Sequence, residues 1–166
     1  MAERPSEPSN KSLLSPLGFQ FSIQKLPHVN YFCTAATIPD VSLGVVETPN
    51  PFNRLVKASD KLDFADLSLQ FRVDEDMKNY QEIFDWLIGL GYPDEFPQRK
   101  GLTDPYSDAS LIVTTAQYQP NIEVRFKDLF PTNLASLEFK VDESDVQYLI
   151  GSVTFKYRAY DIQSIT

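Results

Sequence analysis

Leu67-Ser68-Leu69-Gln70-Phe71-Arg72-Val73 decides the fold class. Leu67, Leu69, Phe71 and Val73 alternate with Ser68, Gln70 and Arg72. A period of two puts one set of side chains on a core and the other on solvent, which is a half-buried strand. The run ends at Asp74, a residue type suited to capping a helix, and Glu75 and Asp76 follow where carboxylates favour the helix dipole. Met77, Tyr80, Phe84, Leu87 and Leu90 then recur at helical spacing, widened by Ile83 and Trp86. The spacing predicts one helix over about residues 75–90, stopped by Gly91 and Pro93.

Outward from this segment, strand signals dominate. Phe19–Ile23 alternates, and Val29–Thr37 reads as a second strand, with Leu26-Pro27-His28 as the hairpin turn between them. Val41–Glu47 reads as a third strand, before Thr48-Pro49-Asn50-Pro51-Phe52-Asn53 breaks regular structure. Residues 92–108 form a long loop with four helix- or strand-breaking residues, Pro93, Pro97, Gly101 and Pro105, and three aromatics, Tyr92, Phe96 and Tyr106. Leu111, Val113 and Thr115 alternate on one side of Gln119-Pro120-Asn121, and Ile122, Val124 and Phe126 on the other, as in a hairpin. Phe130-Pro131-Thr132-Asn133 reads as a turn, and Leu137, Phe139 and Val141 as a short strand. In Val146–Asp161 the apolar phase flips at Gly151, as at a β-bulge. The expectation is a mainly β chain with one α-helix (α+β), in two packed antiparallel sheets with a sandwich or barrel-like form. Residues 17–166 form a single domain behind an extended arm, 1–16, that carries Pro5, Pro8 and Pro16.

Composition bounds the function. With 166 residues the chain is long enough to bury a core without disulfides, and 42% hydrophobic against 23% charged residues excludes general disorder. Lys and Arg number 15 against 23 Asp and Glu, a net charge of −8, which argues against a protein that grips nucleic-acid phosphates. One cysteine and one histidine exclude an intrachain disulfide and any Cys- or His-rich metal site. No apolar run reaches the roughly 20 residues of a spanning helix, and the polar start lacks the order of a signal peptide. Nucleophile-elbow, dinucleotide and phosphate-loop glycine patterns are missing. Cys33 among Tyr31 and Phe32 reads as a packing thiol, and His28 beside Pro27 as a turn residue. The chain reads as no enzyme, with no cofactor and no metal.

Two features point to surfaces. Residues 60–95 hold ten acids against three bases, and Asp60, Asp63 and Asp66 recur every third position. These read either as solvated charge or as a deliberately negative surface. The second feature is aromatic. Phe52, Tyr92, Phe96 and Tyr106 are costly apolar surface on a lone copy, so the segments 48–57 and 92–106 are expected at subunit contacts.

Three local signatures and their order resemble the tail tube proteins of contractile-tailed bacteriophages. They are Phe32-Cys33-Thr34-Ala35-Ala36-Thr37-Ile38-Pro39, a strand running into one helix that carries Trp86 before a long loop, and Leu129-Phe130-Pro131-Thr132-Asn133-Leu134. The similarity spans about Phe19–Asp161. The resemblance implies a structural virion protein, assembled in the host cytoplasm, whose homohexameric rings stack into a tube that DNA traverses without sequence-specific binding. It implies sheath, baseplate and terminator proteins of the same tail as partners, and no membrane. Both the main tube subunit and an end-ring paralogue, a baseplate-side initiator or head-side terminator, fit it. Asp60, Asp63 and Asp66 are then candidates for a negative channel lining. A reading of another class is a small β-sandwich carbohydrate-binding or adhesion module, with the aromatics of the 92–106 loop as sugar platforms.

Overall fold

The computed structural model describes residues 11–49, 53–91, 105–140 and 148–165. Among the described residues, nine strands and two helices follow one another: β1 (Phe19–Ile23), α1 (Pro27–Phe32), β2 (Cys33–Ala36), β3 (Val41–Pro49), β4 (Arg54–Phe64), β5 (Leu67–Arg72), α2 (Lys78–Gly91), β6 (Ser107–Thr114), β7 (Pro120–Leu134), β8 (Ile150–Lys156) and β9 (Ala159–Ser164). All pairings are antiparallel. β1, β6, β7 and β9 form one sheet in that order; β2, β5, β8 and the C-terminal half of β7 form the second. The 15-residue β7 serves both, turning at Asp128, whose φ is +55°. The two sheets do not close into a barrel.

The core lies between them. Phe21, Ile23, Ala109, Leu111, Val124 and Phe126 point inward from the first sheet, and Leu67, Leu69, Phe71, Val153 and Phe155 from the second. The alternation of Leu67–Arg72 therefore holds as read. Ile83 and Trp86 of α2 complete the core; Trp86 packs against Phe155 and donates its indole N–H to the Pro105 carbonyl at 3.1 Å.

The structure departs from the sequence reading at several elements. Leu26-Pro27-His28 is not a hairpin turn. Pro27 opens the short helix α1, where a fixed φ and a missing N–H cost nothing. Asn30 in α1 accepts from the Ile23 N–H at 2.7 Å and donates to the Ile23 carbonyl at 2.9 Å, folding α1 back on β1. β1 and β2 consequently pair with β6 and β5, not with each other. The long helix starts at Lys78, three residues later than expected. Met77 has a φ of +54°, and buried Asn79 donates to the Arg72 carbonyl at 2.8 Å and accepts from the Asp74 N–H at 3.3 Å. Its buried face runs through Asn79, Ile83 and Trp86, leaving Met77 and Phe84 exposed.

Phe130-Pro131-Thr132-Asn133 is strand, not turn. The β7–β8 register shifts between Pro131 and Asn133, and such a bulge tolerates the missing proline N–H. Residues 137–140 are not strand, and Val141 lies outside the described residues. The β5–β8 register runs unbroken through Gly151, so no bulge sits there. The chain instead breaks at Tyr157 and Arg158 into two strands of different sheets.

Candidate assembly surface

Among the described residues, β3 and β4 pair with each other and stand apart from both sheets. Their register sets Val41 opposite Phe64, Leu43 opposite Leu62, Val45 opposite Ala58 and Glu47 opposite Val56. Residues paired across strands share a face. Val41, Leu43, Val45, Val56, Ala58 and Leu62 therefore make one largely apolar face, bordered by Glu47, and all six are exposed. Val45 keeps 61% of its surface accessible and Val56 64%. The opposite face mixes Ser42 with Asp63 and Val46 with Lys57. Between Leu43 and Val45 the register shifts and β4 bulges around Ser59–Lys61.

Among the described residues, the hairpin is held at its root. The Tyr157 hydroxyl donates to the Ala65 carbonyl at 2.8 Å, and the Tyr160 hydroxyl to the Pro39 carbonyl at 3.2 Å. The Ala65 N–H donates to the Asp40 carbonyl at 2.9 Å. Phe64 packs edge-on against both tyrosines, which in turn pack on Phe126. Burial, reinforced by Tyr160 and Asp66, pushes the Tyr157 phenol up to about 12. A lone two-stranded hairpin is marginal in water, and a contiguous exposed apolar face marks an interaction site.

The body supplies further surfaces. Among the described residues, β1 and β9 edge the first sheet, and β2 and the Phe130–Leu134 half of β7 edge the second. The outer face of the second sheet carries short polar side chains, Thr34, Ser68, Gln70, Thr132, Ser152 and Thr154, with Arg72 and Lys156 among them. Arg72 lies over the Tyr148 ring, and Lys156 reaches Asp66 at 3.4 Å. The outer face of the first sheet carries long paired charges. Arg125 meets Glu123 at 2.7 Å and Lys127 meets Asp161. The hydrogen bond from Arg125 holds the Glu123 carboxyl below its ordinary range.

The sequence profile described as phage tail tube protein matches residues 8–163. The chain belongs to the phage tail tube protein family. No curated protein matches it. Its fold is similar to a chain in the cryo-EM structure of the anti-feeding prophage cap (tube terminating cap), with TM-score 0.69, 16% identity and 99% of both chains covered. It is similar to a chain of the PVC extracellular contractile injection system sheath–tube complex in the extended state, with TM-score 0.68, 15% identity, and 93% of this chain and 94% of that one covered. A chain of the PVC sheath/tube terminator gives TM-score 0.67 at 17% identity, over 92% of this chain and 98% of that one.

Against this tail tube fold, the residues singled out in sequence fall as follows. Phe52, Tyr92 and Phe96 lie outside the described residues. Tyr106 is half exposed just before β6, edge-on to Phe130 at 5.8 Å. Asp60 and Asp63 stand exposed on β4, while Asp66 sits between β4 and β5 against Lys156, so the three acids do not gather into one site. Cys33 is part-buried, and desolvation pushes its thiol up to about 11, as a packing thiol requires. His28 and Glu82 pair across α1 and α2. Among the described residues no cluster of metal ligands occurs. The apolar hairpin face was missed in sequence. Its signal is Val41, Leu43 and Val45 answered by Val56, Ala58, Leu62 and Phe64.

Proposed function

We propose that this tail tube protein forms homohexameric rings that stack into the inner tube of a contractile phage tail and line a channel for DNA. Its role is structural, not catalytic, and its place is the virion. The observation that carries this reading is the β3–β4 hairpin, an apolar sheet face rooted on two tyrosines and left exposed among the described residues. Sheet edges on both sides of the body support it, since side-by-side pairing of edges would remove the unpaired strand groups that invite disordered association.

The second sheet turns its outer face to the channel. Its hydroxyl and amide side chains carry no charge, Asp66 offsets Lys156, and Arg72 is stacked on the Tyr148 ring, so one of the two cations on that face has a carboxylate beside it that holds phosphates off. Asp60 and Asp63 add negative charge on the hairpin beyond that face. The first sheet, with its paired charges, then faces outward, toward a sheath. Negative-stain microscopy of the purified chain tests the reading: six-fold rings or tubes are expected, and dispersed monomers at all concentrations overturn it.

A further inference from the structure

We propose that two threonine-latched bulges, at Thr34 on β2 and Thr132 on β7, fix the register in which the β7 edge of one copy meets the β2 edge of the next, and so the number of copies that close a ring. The inference rests on the ring reading above, in which sheet edges of neighbouring copies pair.

Each edge of the second sheet carries one extra residue. On β2 the register passes from Cys33 opposite Phe71 to Ala35 opposite Gln70, leaving Thr34 over. On β7 it passes from Pro131 opposite Phe155 to Asn133 opposite Thr154, leaving Thr132 over. In both places the threonine hydroxyl donates across the bulge to a backbone carbonyl of the inner strand, Thr34 to Gln70 at 3.2 Å and Thr132 to Thr154 at 3.1 Å. Both threonines are exposed. Between the edges, β5 and β8 pair without a break from Leu67 to Arg72. In this sheet the irregularity therefore sits at the edges, where another strand would join.

β2, β5, β8 and β7 alternate in direction, so the two edge strands run opposite ways. Copies related by rotation about one axis then set β7 of one antiparallel to β2 of the next, a sideways pairing that a contact at strand ends would leave open. Such a head-to-tail contact gives a ring if its rotation closes and an open helix if it does not. In a closed sheet the strand tilt and the diameter follow from the register. A seam free to slip would therefore give rings of several sizes. A bulge interrupts the ladder at one fixed place, bends its strand and raises the local twist. A joining strand keeps its bonds only in a register that seats the bulge, which is how bulges pin registers.

Ring size tests the two bulges. Thr34 can be deleted without turning its neighbours over, since Cys33, Ala35 and Ala36 already face Phe71, Gln70 and Leu69. The deletion variant should keep the wild-type circular dichroism and urea midpoint as a dilute monomer. In negative-stain class averages it should give rings of mixed copy number or open arcs, where the wild type gives one six-fold class. Thr34→Val and Thr132→Val remove the hydroxyls alone. Each should raise several-fold the chain concentration at which half the protein is in rings, the effect of one lost hydrogen bond. Thr34→Ser keeps the donor and should assemble as the wild type does. Uniform six-fold rings from the deletion variant overturn the role of the bulges and leave the ring reading intact. If the deletion variant does not fold, the valine variants decide, and unchanged assembly of both overturns that role. A wild-type chain that forms no rings overturns both.

Discussion

The Tyr157 hydroxyl, just beyond β8, donates to the Ala65 carbonyl at 2.8 Å across 92 positions of sequence. With Tyr160 on Pro39 it pins both strands of the hairpin where they leave the body. Neither hydroxyl supports the core, so each should govern the hairpin more than the fold. Tyr157→Phe keeps the ring on Phe126 and deletes one bond, a net loss of about 1 kcal/mol. Hydrogen exchange of peptides within 41–64 should quicken in Tyr157→Phe and more in the double variant with Tyr160→Phe. Unchanged hairpin protection would show that the clamp does not hold it.

Alkaline pH should loosen the same root. The Tyr157 phenol is raised from 10.0 to about 12 and the Cys33 thiol from 9.0 to about 11, both mainly by burial. In each case the unfolded chain releases its proton first. The stabilisation is fully present below pH 9 and is lost as pH rises through the folded values of about 11 and about 12. Urea midpoints should be level up to about pH 9 and then fall. Tyr157→Phe should soften the fall above pH 10, and Cys33→Ala the earlier part. Identical curves for wild type and both variants would rule these groups out.

The sheet body was legible because burial on one face writes a period of two. β1, β5 and the β6–β7 pair are where alternation placed them. α1 was not legible. Its six residues are too few to show a helical period, and Tyr31, Phe32 and Cys33 read as β-formers. What makes it a helix is Asn30 closing on Ile23, a contact no local pattern encodes. β4 was hidden by its charges. Asp60 interrupts the apolar row Val56, Ala58, Leu62 and Phe64, and the bulge there has meaning only against Gly44 on the partner strand. The candidate surface was not legible, because alternating aliphatics such as Val41, Leu43 and Val45 write the same pattern whether their face is buried or exposed.

Gly151 is fixed by a ring. A Cβ there would lie 2.7 Å from Cζ of Phe71, its partner across β5 and β8. Phe71 is fully buried and cannot swing away. Gly151→Ala should therefore overpack the core and cost roughly 1–3 kcal/mol in urea denaturation. Phe71→Leu alone should also destabilise, but combined with Gly151→Ala it should recover part of the loss, a favourable coupling in the double-mutant cycle. Additive losses would mean that the ring and the glycine do not compete for the same space.

Asp66 bears on what the channel does with DNA. It stands 3.4 Å from Lys156, and both are about half exposed, so the pair adds little stability. Asp66→Asn should move the unfolding free energy by no more than about 0.5 kcal/mol, as for most surface changes. Its effect should appear on assembly. If the second sheet lines the channel, every subunit of an assembled ring then presents an uncompensated Lys156 at one end of β5 and β8, with Arg72 at the other. Phosphates passing such a ring release counterions, so binding should appear and weaken steeply with added salt. Wild-type tubes should leave a labelled DNA oligonucleotide free, whereas Asp66→Asn tubes should retain it at low salt and release it as salt rises. Lys156→Gln in the same background should abolish the retention, because it removes the cation that Asp66 had offset. Asp60→Asn and Asp63→Asn, out on the hairpin, should retain less DNA than Asp66→Asn. Equal retention by all three variants would place the channel face elsewhere than on β2, β5 and β8.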